Sequence, residues 1–179
     1  MRKGTAWRVA FTGMLFALAI VLSIAESWLT PLLGLPPGVK LGLANCVVMF
    51  ALYYTSRWQA LLLVLLKAGF GLITRGAVAG LLSLTGGLAS LGVMLLLLLP
   101  KRKPGVVLVS VAGAIFHNLG QFVVVWWLYG PPAAYYLPVL LVAGLVMGVL
   151  TAVLLRVLLP ALEKTGLTRK DATPDSPED

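Results

Sequence analysis

Read from its start, the chain is a series of apolar runs broken at short polar or Gly/Pro-rich points. The first run extends from about residue 7 to 29 and closes at Thr30-Pro31. The stretch 32–38 holds Gly34, Pro36, Pro37 and Gly38, which shape turns and stop helices, so it is a loop. A second run covers about 41–54 and a third about 58–74, parted by Thr55-Ser56-Arg57. The fourth, 77–99, stops at Pro100, and Lys101-Arg102-Lys103-Pro104-Gly105 makes a basic turn. A fifth spans 106–129 and ends at Gly130-Pro131-Pro132; the sixth covers 135–159. Such runs approach the ~20 apolar residues that a helix needs to cross a bilayer. The pattern predicts an all-α membrane protein, a bundle of six transmembrane helices within 1–162, with a polar tail at 163–179 that reads as disordered. The second helix is short for a span.

Composition narrows the class. Of 179 residues, 60% are hydrophobic and 11% charged, and the mean hydropathy is +0.99. A soluble domain of this size lacks the interior volume to hide so much apolar surface, whereas lipid accepts it directly. Met1-Arg2-Lys3 before an apolar run resembles a secretory signal, but the run is longer than a signal core and more follow, so a retained first helix is expected. Cys46 is the single cysteine, which excludes an internal disulfide and a thiolate metal cluster. The formal charge of +8 is gathered in clusters between apolar runs and forms no basic stripe with stacking aromatics, so nucleic acid is not an expected partner.

Those clusters set an orientation. With the N-terminus inside, Arg2, Lys3, Arg8, Arg57, Lys101–Lys103 and Arg156 all fall on the cytoplasmic side, and only Lys40 and Arg75 fall outside. Positive charge stays in the cytoplasm, so both termini are expected there, in a multi-pass cell-membrane protein. Trp28, Trp126, Trp127 and Tyr135 then lie at the outer interface and Trp7 and Trp58 at the inner one, where amphipathic rings settle.

Polar groups within spans are costly and point to function by default. Glu26 is the only acidic residue before the tail. Lys40 and Asn45 flank the start of the second helix, Lys67 lies midway along the third, and Arg75 just follows it. His117, Asn118 and Gln121 share the fifth, where spacings of three and four bring Gln121 beside both others. All lie between mid-membrane and the outer surface, and their cationic balance suits an anionic or strongly polar small ligand. Structural readings stand beside this one. Lys40 and Arg75 can snorkel to the interface, Glu26 can neutralise a lysine, and the fifth-helix amides can bond neighbouring helices. Lys67 is too deep to snorkel easily. The glycines at 69, 71, 76, 80, 86 and 87 mark close helix contacts or bends and carry no phosphate-loop pattern. Ala6, Ala10, Gly13 and Ala17 form one small-residue face of the first helix, a pattern used for close packing. No carboxylate cluster for a metal and no nucleophile–base set is visible, so neither an enzyme nor a cofactor is expected.

The run Pro36-Pro37-Gly38-Val39-Lys40-Leu41-Gly42-Leu43-Ala44-Asn45, Glu26 before it, and His117-Asn118-Leu119-Gly120-Gln121 resemble the Gx transporter family, also labelled heptaprenyl diphosphate synthase component I. The resemblance covers roughly residues 8–159. That family is similar to the S-components of energy-coupling factor transporters. The resemblance implies six helices, a vitamin-like ligand near the outer face, and a covering loop after the first helix. It also implies a transmembrane coupling protein and two cytoplasmic ATPases as partners, with Ala6, Ala10, Gly13 and Ala17 docking on the coupling protein. Lys40 and Lys67 would then meet the ligand's negative groups, His117 and Gln121 would hydrogen-bond it, and 31–38 would form a lid. Glu26, Asn45, Arg75 and Asn118 would complete the lining. Two other readings stay open: an accessory membrane subunit with no ligand, and a membrane component of prenyl diphosphate synthesis.

Overall fold

A computed structural model describes residues 5–29, 32, 34, 42–100 and 104–164, without the side chains of 5, 8 and 157–164. Its helices are α1 (Thr5–Leu29), α2 (Asn45–Tyr54), α3 (Arg57–Arg75), α4 (Ala77–Leu97), α5 (Val106–Tyr129) and α6 (Leu137–Lys164), with a 3-10 turn at Pro131–Tyr136. No strand occurs among the described residues. Five helices, all but α2, are long and apolar enough to cross a membrane.

Local chemistry sets the limits of these helices. The Ser56 hydroxyl accepts the Gln59 N–H at 3.2 Å and caps α3. Gly76, at φ +90°, makes the turn between α3 and α4. Gly130, at φ +70°, ends α5, and Pro131 then opens the 3-10 turn where a plain loop was expected. α4 stops at Leu97, two residues short of the expected end. α6 continues to Lys164, so it takes in the first two residues assigned to the tail; 165–179 lie outside the described residues. The largest departure is α2. It begins at Asn45 rather than at 41, because Gly42 holds φ +101° and its carbonyl accepts the Asn45 N–H at 2.8 Å in a turn. Its 10 residues rise about 15 Å, half of a ~30 Å hydrocarbon core.

Cross-helix contacts fix the path. Gln59 Nε2 donates to Thr12 Oγ1 at 2.9 Å near the start of α3, and Arg75 Nη2 lies 3.5 Å from Ser23 Oγ at its end. α1 and α3 therefore run in the same direction. The chain between them returns: Glu26 bonds the Gly42 N–H at one end, and Phe50 packs on Phe11 (ring centroids 6.4 Å apart) toward the other. The return includes α2, which is buried on nearly all sides, with Val47, Val48, Met49 and Ala51 in the core. Protein therefore shields its backbone, which is the condition for irregular or short segments at membrane depth.

α3 to α6 alternate in direction and interlock through glycines. A Cβ on Gly87 would stand 2.7 Å from Val64 Cγ1, one on Gly120 2.6 Å from the Thr85 carbonyl oxygen, and one on Gly148 2.5 Å from Val111 Cα. Helices that meet this closely gain dispersion contact where water exclusion offers little. One apolar cluster fills the end where α1 begins, with Phe11, Leu15, Phe50, Leu63 and Met94; a second, with Leu82, Val125 and Leu140, joins α4, α5 and α6. α6 leaves Val142, Val146, Val149 and Val153 exposed along one stripe, a surface suited to acyl chains.

Candidate functional site

Buried polar side chains gather in the half of the bundle where α1 and α3 end. Lys67 of α3 is 5% exposed, and Ser83 of α4, His117 and Gln121 of α5 and Ser23 of α1 are buried around it. With Ala44 and Ala79 these five residues line one cavity of about 10 Å³, the room of a single water. His117 and Gln121, four apart, share the α5 face that turns toward α4. Gly86 permits the approach: a Cβ there would lie 2.9 Å from His117 Cε1 and 3.0 Å from Gln121 Cγ. Among the described residues, the carboxylate whose charge acts on Lys67 is Glu26.

Glu26, fully buried, has a different task. Its Oε1 accepts the N–H of Gly42, and that of Leu43 at 3.3 Å, and so ties the end of α1 to the turn that starts α2. Gly42 lies against the imidazole, since a Cβ on it would stand 3.3 Å from His117 Cδ2. The carboxylate therefore places a wall of the cavity, and Ala44, two residues on, lines it.

The remaining expected site residues divide. Asn45 donates to Ser90 Oγ at 2.5 Å, and Asn118 to the Leu140 carbonyl at 2.7 Å; neither lines the cavity. Consecutive helix positions point about 100° apart, so the Asn118 side chain faces α6 while His117 faces α4. Both amide oxygens, Asn45 Oδ1 and Asn118 Oδ1, are buried without a hydrogen-bond partner among the described residues. Arg75 reaches Ser23 at the cavity's edge. Lys40 and most of the expected lid at 31–38 lie outside the described residues.

Ser23 and Ser83 were not among the expected lining residues. Ser23 stands one turn before Glu26 on the same face, and Ser83 and Ser90 lie seven apart on the α4 face that carries Gly86 and Gly87. These spacings carry the signal, but a lone serine in an apolar helix gives little weight to it. Ala6, Ala10, Gly13 and Ala17 are all exposed, and no described residue comes within 4 Å of a Cβ built on Gly13. Among the described residues nothing packs on this small-residue face. Among the described residues no group of His, Cys, Asp and Glu could hold a metal ion.

No curated protein and no solved structure gives a significant match to the chain. Residues 15–158, however, match the family described as heptaprenyl diphosphate synthase component I. The match takes in every described lining residue of the cavity together with Glu26 and Arg75, and on it the chain belongs to the heptaprenyl diphosphate synthase component I family.

Proposed function

We propose that the chain is a substrate-binding membrane subunit, S-component-like, of an energy-coupling factor type importer. It captures a small polar molecule, anionic or of a vitamin or isoprenoid-precursor type, from the outer side of the cell membrane. One observation carries this reading: a lysine buried in mid-helix, whose described group of opposite charge, Glu26, is also tied to backbone N–H groups, lines a void shared with His117, Gln121 and two serines from three other helices. Burying an ammonium costs several kcal/mol, on the order of what a membrane interior charges for any ion. A protein that only needed a packed bundle gains nothing from it, and a ligand that completes the site offsets the cost.

In this reading the return through α2 counts as a crossing, which makes six and puts both termini on the cytoplasmic side with the basic clusters. The exposed face of Ala6, Ala10, Gly13 and Ala17 docks on a transmembrane coupling protein that works with two ATPases. In this reading the chain is a non-catalytic subunit, and the described cavity has room for about one water. Purification of the tagged chain in mild detergent, followed by mass spectrometry of its protein partners, tests the assembly: a coupling protein with two ATPases is expected, and a partner set without any ATPase contradicts it.

The family description favours a second reading, a non-catalytic membrane component of prenyl diphosphate synthesis with a catalytic partner subunit. It requires that prenyl diphosphate formation by the isolated partner depend on this chain. Equal product formation with and without the chain removes it.

A further inference from the structure

Lys67 and Arg75 lie two turns apart on α3 with Gly71 midway. An arginine that anchors a helix end in the interface extends outward along the membrane normal. Arg75 turns back instead. Its Nη2 lies 3.5 Å from Ser23 Oγ, and a Cβ on Gly71 would stand 3.3 Å from that same nitrogen. The guanidinium therefore rests over the bare backbone of Gly71 and points at a hydroxyl that also lines the cavity on which Lys67 opens. Arg75 thus reaches Ser23 at the edge of the cavity that Lys67 lines, so two cations border it. The described carboxylate whose charge acts on both is Glu26, and its Oε1 also accepts the Gly42 and Leu43 N–H groups, so two cations face one carboxylate. Two like charges near one carboxylate leave an excess of positive charge that a second anion would balance.

We infer that this cavity is a socket for one oxygen of an oxyanion, the terminal carboxylate or phosphate of the captured molecule, met by Lys67 and Ser83 inside the cavity and by Arg75 at its edge. The inference rests on the substrate-capture reading and specifies it. Space limits what enters: about 10 Å³ admits one oxygen-sized group, whereas pockets that enclose a whole small molecule measure roughly 300–1,000 Å³. The acid end leads, and the rest of the molecule stays toward the mouth between α1 and α3. Arg75 is thus a ligand-binding residue, and Gly71 is the residue that gives it room.

The test uses the full chain in detergent, with its thermal unfolding midpoint followed against sodium phosphate and against sodium acetate at constant ionic strength. A saturable rise in the midpoint is expected, and the anion that acts at lower concentration distinguishes a phosphate from a carboxylate end. Lys67→Gln should abolish the rise. Gly71→Ala keeps every charge and meets only the flexible end of Arg75 at close range, so its anion-free midpoint should equal that of the unaltered chain. Its half-saturation should nevertheless move up about tenfold, the loss expected for one charge-assisted hydrogen bond. Arg57→Gln, which removes a cation at the far end of α3, should leave the curve in place. No saturable rise with either anion, or a Gly71→Ala curve that coincides with the unaltered one, overturns the socket. If the purified chain still carries a small molecule while neither anion acts, the socket fails and the capture reading stands. An empty chain that ignores both anions ends both.

Discussion

Gly42 shows how much a single position can decide. Its φ of +101° is one that residues with a Cβ rarely hold, and its N–H and the next are tied to the buried Glu26 carboxylate. Glu26→Ala should therefore cost about 1–3 kcal/mol, the penalty for buried donors left unmet. Glu26→Gln, which keeps an acceptor oxygen, should cost less. Thermal unfolding in detergent measures both, and equal stability of all three chains would show that the tie does not hold the turn. At this scale the sequence was legible where a residue was expensive and silent where it was cheap. Lys67 and Gln121 stand out of apolar helices because burying them costs so much. Ser23 and Ser83 line the same cavity, but a hydroxyl returns its hydrogen bond to its own helix at little cost and so passes unnoticed. Asn118 was legible as polar, yet its partner, the Leu140 carbonyl, depends on how α6 packs and no spacing within α5 could supply it.

Among the helices, boundaries were legible where glycine or proline imposes them. α5 runs Val106–Tyr129 as expected, between Gly105 and Gly130. α2 was drawn too long because Leu41 and Leu43 extend the apolar run, and apolarity cannot reveal a positive φ inside it. Packing among α3 to α6 depends on glycines that face backbone. Gly148→Val would drive a side chain into Val111, whose Cα lies 2.5 Å from the Cβ position, and should destabilise the bundle by about 1–3 kcal/mol. A melting midpoint unchanged from the parent chain would contradict the α5–α6 contact. On α1 the opposite holds, since no described residue opposes Gly13. Gly13→Leu should leave stability and ligand binding in place while lowering recovery of the proposed coupling protein in co-purification. Undiminished recovery would remove this face from the docking surface.

For the whole molecule, the parallel course of α1 and α3 matters most, because it forces a return between them and sets where the chain starts and finishes. In the proposed orientation the Tyr135 end faces outward and the Arg156 end inward. With Cys46 replaced by Ser, Tyr135→Cys should react with an impermeant thiol reagent added to intact cells, and Arg156→Cys only after the membrane is opened. The reverse pattern would invert the bundle and place the cavity on the cytoplasmic side. The claim on which the rest depends is that the void around Lys67 receives a molecule. Mass spectrometry of what the purified chain releases on denaturation tests it most directly. One small molecule, near one per chain, is expected from the parent protein, and little or none from folded Lys67→Ala and His117→Ala chains. The same amount from all three, or nothing from any, would contradict it.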